Sequence, residues 1–208
     1  MVDYTRALKR PFEDMGTLAI GIVLSVVPIV NFLAIGYTIN IAELTLKKKY
    51  GMPEWDDWGN LFVKGLIYFI MMLAYMVPAI IVFLIGAGSV AMTGFTAIFT
   101  NPAALSGMFA GMGIFLIIGL ALAAIAMIMF PAAVIGYAKT GKIDAFFDFK
   151  TISKKAFRGN FIMTALVMMV LSIVVSVVLA VIPIIGASIG SFIMGVATYT
   201  AVTEAYLE

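Results

Sequence analysis

Charged and apolar positions divide the chain into three uncharged runs separated by short charged stretches. No Asp, Glu, Lys or Arg occurs from Met15 to Ala42, from Gly65 to Ala138 or from Gly159 to Thr203, runs of 28, 74 and 45 residues. A helix crossing a hydrocarbon core of about 30 Å needs about 20 apolar residues. The second run therefore holds two spans and the third two more. The first, interrupted by Pro28, leaves about 13 residues on each arm. It reads either as a short or re-entrant hairpin or as one kinked span over residues 15–46. Ahead of each run, apolar residues recur at helical spacing within a charged stretch: Tyr4, Leu8 and Phe12; Trp55, Trp58 and Phe62; Phe146, Phe149, Ile152 and Ala156. Such stripes predict amphipathic helices lying in the headgroup region. Gly16, Gly65 and Gly159 follow them, where the chain is expected to turn into the membrane.

The expected fold is an all-α integral membrane protein with about six membrane segments. They form three helical hairpins, each preceded by an amphipathic interfacial helix. One membrane domain covers 1–208, in the sections 1–46, 47–138 and 139–208. Pro28 and Pro183 fit hairpin tips or kinks, whereas Pro78 and Pro131 fit kinks in continuous helices. The neutral segment 87–108, rich in Gly, Ala and Thr, is expected to be an outer loop resting in the interface or re-entering the bilayer.

Composition agrees with this reading: 63% of residues are hydrophobic and 12% charged, far from the soluble average. The charged opening MVDYTRALKRPFED does not read as a cleavable signal peptide. With no Cys and no His, disulfides, thiol nucleophiles, imidazole bases and most transition-metal sites drop out. No cofactor and no metal is expected. A net charge of +2 is too small to suggest a nucleic-acid partner. The basic residues fall into three groups: Arg6, Lys9 and Arg10; Lys47, Lys48, Lys49 and Lys64; Lys139, Lys142, Lys150, Lys154, Lys155 and Arg158. Hairpins put all three groups and both termini on the cytoplasmic side of the cell membrane, as the positive-inside rule requires.

The stretch Pro53-Glu54-Trp55-Asp56-Asp57-Trp58-Gly59-Asn60-Leu61-Phe62-Val63-Lys64-Gly65-Leu66, with Arg10-Pro11-Phe12-Glu13-Asp14 and Pro28-Ile29-Val30-Asn31, resembles domain of unknown function family 4013. These are prokaryotic, often archaeal, multi-pass membrane proteins. Ala145-Phe146-Phe147-Asp148-Phe149 and the basic run after it are similar to the family's later cytoplasmic segment, so the resemblance spans most of the chain. It implies a multi-pass membrane fold and supplies no catalytic residues.

Three groups of side chains are candidates for a site. Trp55, Trp58, Lys150, Lys154, Lys155 and Arg158 are expected to anchor the chain at the membrane surface. Glu54, Asp56 and Asp57 read either as a docking point for a partner or a cation, or as the solvated start of a helix whose dipole they stabilise. Asn31, Asn40 and Glu43 form an intramembrane polar group, although Glu43 can also pair with Lys47 one turn on. Asn101-Pro102-Ala103 has the form of the water-channel tripeptide, but one copy is equally an N-cap followed by Pro at the first helical position. Gly107, Gly111 and Gly113, and Gly186, Gly190 and Gly195, suit close helix packing. No ionisable group lies between Lys64 and Lys139, and no phosphate-cradling motif occurs, so an enzyme is not expected. The expected function is an accessory, scaffolding or membrane-organising role through helix packing and inner-leaflet lipid binding. Its partners would be membrane lipids and a homo-oligomer or larger membrane complex. The alternative is a passive pore for a small neutral solute, built as a homo-oligomer.

Overall fold

In each charged stretch an aspartate caps the helix that follows. Asp3 accepts from the Arg6 amide at 2.9 Å, Asp14 from Thr17 at 3.0 Å, Asp57 from Asn60 at 3.3 Å and Asp148 from Thr151 at 3.1 Å. A carboxylate there satisfies an orphan amide and meets the positive end of the helix dipole. The computed structural model describes residues 2–100, 104–182 and 185–208, with residues 90, 92–100 and 104–111 described through their backbone. Among these residues eight α-helices occur and no strand. They are α1 (Tyr4–Lys9), α2 (Met15–Val26), α3 (Asn31–Leu46), α4 (Trp58–Thr100), α5 (Ala104–Thr140), α6 (Phe149–Ala156), α7 (Gly159–Leu179) and α8 (Ile185–Leu207). Short 3-10 turns cover Arg10–Phe12 and Ile143–Phe147.

Among the described residues four helical stretches are long and apolar enough to cross a membrane: Trp58–Ser89, Met112–Thr140, Gly159–Leu179 and Ile185–Leu207. By length and composition they mark a membrane protein. α2 and α3, at 12 and 16 residues, reach only about 18 and 24 Å. They are joined by a turn at residues 27–30 that contains Pro28.

Several local expectations are corrected. Residues 87–100 and 104–108 of the expected outer loop are helical: α4 continues to Thr100 and α5 starts at Ala104. Its Gly and Thr residues are weak helix formers, but without water a helix is the cheapest way to satisfy their backbone. Asn101, Pro102 and Ala103, and Pro183, lie outside the described residues. α4 runs through Pro78 and α5 through Pro131. No interfacial helix carries Trp55, because Gly51 and Pro53 interrupt the backbone and Asp57 takes a positive φ of 44°. In α1 the buried residue is Ala7, followed by Arg10 and Pro11 in the 3-10 turn, whereas Phe12 of the expected stripe is exposed. Gly65 lies inside α4 and serves as a contact point.

The chain divides into two compact units, Met1–Met71 with Ile128–Glu208, and Met72–Met127. In the first, α8 is the central helix: 61% of its most apolar window is buried, against 11% for α7. Arg6 meets Glu204, Arg10 meets Thr200, and Gly21 abuts the Phe192 ring. α1 and α2 thus ascend antiparallel to α8. α3 then descends beside it, with Thr38 against Gly195. α7 pairs antiparallel with α8, Val175 and Leu179 lying over Gly190. α3 and the start of α4 touch backbone to backbone. A Cβ on Gly36 would lie 1.9 Å from the Leu61 carbonyl oxygen, and one on Gly65 1.8 Å from that of Phe32. Gly186 is similarly close to the Leu179 carbonyl, whereas nothing lies within 4 Å of a Cβ on Gly113.

In the second unit two glycine-and-ring pairs join the helices. Gly86 receives Phe115, and Gly119 receives Phe83. A Cβ at either glycine would approach the opposing phenylalanine to about 2.6 or 2.5 Å.

Candidate functional site

The first unit gathers its charges at one end. Arg10 is fully buried there. Thr45 and Thr200 each donate a hydroxyl proton to their own helix, at the carbonyls of Ile41 and Val196, both at 2.8 Å. Their oxygens remain free to accept, and Arg10 Nη1 donates to both, at 2.7 and 3.0 Å. Nη2 donates to the Gly51 carbonyl at 3.0 Å and the Lys49 carbonyl at 3.4 Å. One guanidinium therefore ties the N-terminal segment to α3, to the loop after it and to α8. Burial pushes its pKa down, opposed by Glu13, Tyr37, Tyr50 and Glu204. An arginine nevertheless stays charged at neutral pH. Arg10 Nε and Thr203 Oγ1 are buried and make no hydrogen bond among the described residues.

One turn earlier, Arg6 binds the buried carboxylate of Glu204 through Nε at 3.1 Å and Nη2 at 2.5 Å. The same carboxylate accepts from the Asp3 amide at 2.8 Å. The Arg6 guanidinium also lies 3.8 Å from the centre of the Tyr50 ring. Burial works to lower the Arg6 pKa, but the hydrogen bond and charge of Glu204 outweigh it and the net shift is upward. Burial first, then the Glu204 charge, pushes the Tyr50 phenol up.

Asn40 and Glu43 come together on α3 with Lys64 of α4, whose ammonium donates to Asn40 Oδ1 at 2.6 Å and Glu43 Oε1 at 2.5 Å. The partner of Glu43 is thus Lys64 and not Lys47. Asn31 lies elsewhere, at the other end of α3, so the three residues do not form one group. Glu54, Asp56 and Asp57 are exposed, and Asp57 is spent on capping α4. Among the described residues no three acidic side chains cluster in a way that could hold a metal ion.

The two tryptophans separate in role. Trp55 stacks on Tyr37 with ring centres 4.2 Å apart, lies 6.0 Å from Phe192 and donates Nε1 to the Thr17 carbonyl at 3.1 Å. It packs the loop onto α2, α3 and α8, and such ring pairs contribute about 1 kcal/mol each. Trp58 is exposed.

α6 has three faces. Ile152 and Ala156, with Phe146 just before the helix, are buried. Lys150, Lys154 and Arg158 are exposed. Phe147, Phe149 and Phe157, each about half exposed, stand beside those cations. Lys155 is set apart: it donates to the Tyr206 carbonyl at 2.7 Å, in the last turn of α8, and lies 4.8 Å from the Tyr206 ring centre. Burial, then the charges of Arg158, Lys139 and Lys154, lowers its pKa.

At the uncharged end of the same unit lies a cavity of about 270 Å³ lined by α2, α3, α4 and α8. Its polar wall comprises Ser25, Asn31, Thr38, Tyr68, Ser191 and Tyr199. Of this wall the sequence singled out Asn31 alone, and it gave no sign of the Arg10 hub. The signal lay in α8, where Ser191, Gly195 and Tyr199 recur every four residues and align on one face.

No curated protein and no solved structure matches this chain. Residues 20–184 match the family model described as protein of unknown function (DUF4013), and the chain belongs to that family.

Proposed function

We propose that this protein is a non-catalytic membrane organiser that binds the anionic inner leaflet of the cell membrane through the α6 face. The observation that carries this reading is the pairing of exposed Phe147, Phe149 and Phe157 with exposed Lys150, Lys154 and Arg158 on a segment fixed to the bundle by Phe146, Ile152 and Ala156. Aromatic rings at headgroup depth, flanked by cations, suit an anionic lipid surface, where each cation contributes about 1 kcal/mol. In this reading the chain makes six membrane segments as three hairpins, α2 and α3 forming the first behind the charged α1. The contacts of Arg6 with Glu204, Arg10 with Gly51, and Lys155 with Tyr206 support placing both termini and the basic groups on one, cytoplasmic, side. Lipids are the primary partner, and packing faces such as that of α7 serve self-association or a larger complex.

The test uses the full chain in nanodiscs of mixed anionic and zwitterionic lipid, with retained lipids counted by native mass spectrometry. The expected result is selective, salt-sensitive retention of anionic lipid that falls about a hundredfold in Lys150→Gln/Lys154→Gln/Arg158→Gln. Equal retention of both lipids, or no change in the triple variant, overturns the reading. A second reading, a passive path for a neutral solute, is favoured by the uncharged polar cavity and predicts solute flux into proteoliposomes.

A further inference from the structure

We propose that the cavity between α2, α3, α4 and α8 binds an uncharged polyhydroxylated group, either the glycosyl or glycerol portion of a lipid or a free polyol of that size. Its volume of about 270 Å³ exceeds the roughly 150 Å³ that accommodates a benzene-sized guest. It therefore has room for a sugar ring. Ser25 donates to the Gly21 carbonyl at 2.7 Å, Thr38 to that of Ile35 at 2.7 Å and Ser191 to that of Ser188 at 3.0 Å. With their protons spent on their own helices, these hydroxyls offer the cavity acceptor lone pairs. The Asn31 carboxamide makes no hydrogen bond among the described residues and supplies donors as well as an acceptor.

A matching guest must donate several hydrogen bonds and accept one or two, which hydroxyl groups do. No charged side chain lines the cavity, so an ion would lose its hydration without compensation. Purely apolar guests would leave the Asn31 amide unsatisfied. Phe192 and the rings of Tyr68 and Tyr199 complete the wall and provide flat faces for the C–H side of a sugar or glycerol backbone. This site is separate from the α6 face and does not depend on it.

The experiment has two arms on the full chain. In one, nanodiscs of phosphatidylcholine doped with monoglucosyl diacylglycerol are analysed by native mass spectrometry. In the other, protein in phosphatidylcholine nanodiscs is dialysed to equilibrium against radiolabelled glycerol or glucose. The expected result is one guest per chain in one arm or the other, which identifies the source as lipid or free solute. Retention should fall about tenfold or more in Ser191→Leu, which fills the cavity, and in Asn31→Ala, at a partly buried position in the first turn of α3. Ser172→Leu on α7, outside the cavity, should change nothing. Retention of neither guest above the Ser191→Leu level overturns the proposal, as does retention that survives Asn31→Ala. Equal retention of phosphatidylcholine, which has no headgroup hydroxyl and would make the site one for any lipid, also overturns it.

Discussion

A guanidinium buried among threonine hydroxyls and loop carbonyls can be removed in two ways that leave different things behind. Arg10→Ala takes away four donated hydrogen bonds and strands the acceptors of Thr45, Thr200, Lys49 and Gly51. The expected cost is about 3 kcal/mol, read as lowered thermal stability in mild detergent. Arg10→Lys keeps the charge but loses the planar fork, so it should recover less than half of that loss. Full recovery by lysine would show that charge alone matters. Neither Arg10 nor Lys64 was legible in its role. The sequence puts Arg10 among the surface cations with Arg6 and Lys9, and only the small Ala7 one turn earlier hints at a packed face. It offers Glu43 a partner four residues on, in Lys47, whereas the true one is Lys64 on another helix. Periodicity within a helix carries no information about which helix packs beside it.

Among the elements, α3 and α4 show how the short first run reaches its length. The 13-residue arm counted from the uncharged block becomes a 16-residue helix by continuing through Glu43 to Leu46. That is affordable because Lys64 neutralises the carboxylate. Their contact depends on two glycines, since Gly36→Ala would drive a methyl into the Leu61 carbonyl and Gly65→Ala one into that of Phe32. Each substitution should cost about 1–3 kcal/mol. Gly59→Ala, with nothing within 4 Å, is the control, and thermal unfolding in detergent distinguishes them. Aspartate caps give α2 and α6 a pH signature. Bonds from the Thr17 amide and hydroxyl hold Asp14 below its ordinary 3.8, and bonds from Thr151 do the same for Asp148. A depressed folded value means their contribution is complete above the ordinary value and is lost as pH falls through the lower one. Asp14→Asn/Asp148→Asn, which still caps but does not titrate, should therefore flatten the acid side of the stability curve below about pH 4. The long helices were legible because uncharged runs of 74 and 45 residues admit few other structures. Their extension through 87–100 was not, since weak helix formers look the same in a loop and in a helix shielded from water.

For the molecule as a whole, the residues before the first uncharged run do work out of proportion to their number. Deleting residues 2–12 removes no candidate span, yet it exposes Glu204, Thr200 and Thr45 at once. The expected outcome is a marked drop in thermal stability and new proteolytic cleavage near the end of α8. Glu204→Gln should add little in the deletion background, although it destabilises the intact chain. An unchanged melting profile after deletion would mean that the arginine contacts are ornamental to the fold. The distribution of basic residues does suggest that the charged ends lie together, but only the structure gives the pairs that join them. Those pairs also impose a schedule on biogenesis. Arg10 and Thr200 lie 190 positions apart, so at about 5–20 residues per second the ribosome needs roughly 10–40 seconds to deliver the partner after the arginine has emerged. Throughout that interval Arg10 has Thr45, Lys49 and Gly51 within reach but lacks Thr200, and Arg6 lacks Glu204, so water or lipid phosphate must hold the Arg6 cation. The first helices can complete their contacts only when the last helix arrives, making the end of synthesis the moment at which the beginning of the chain finishes folding.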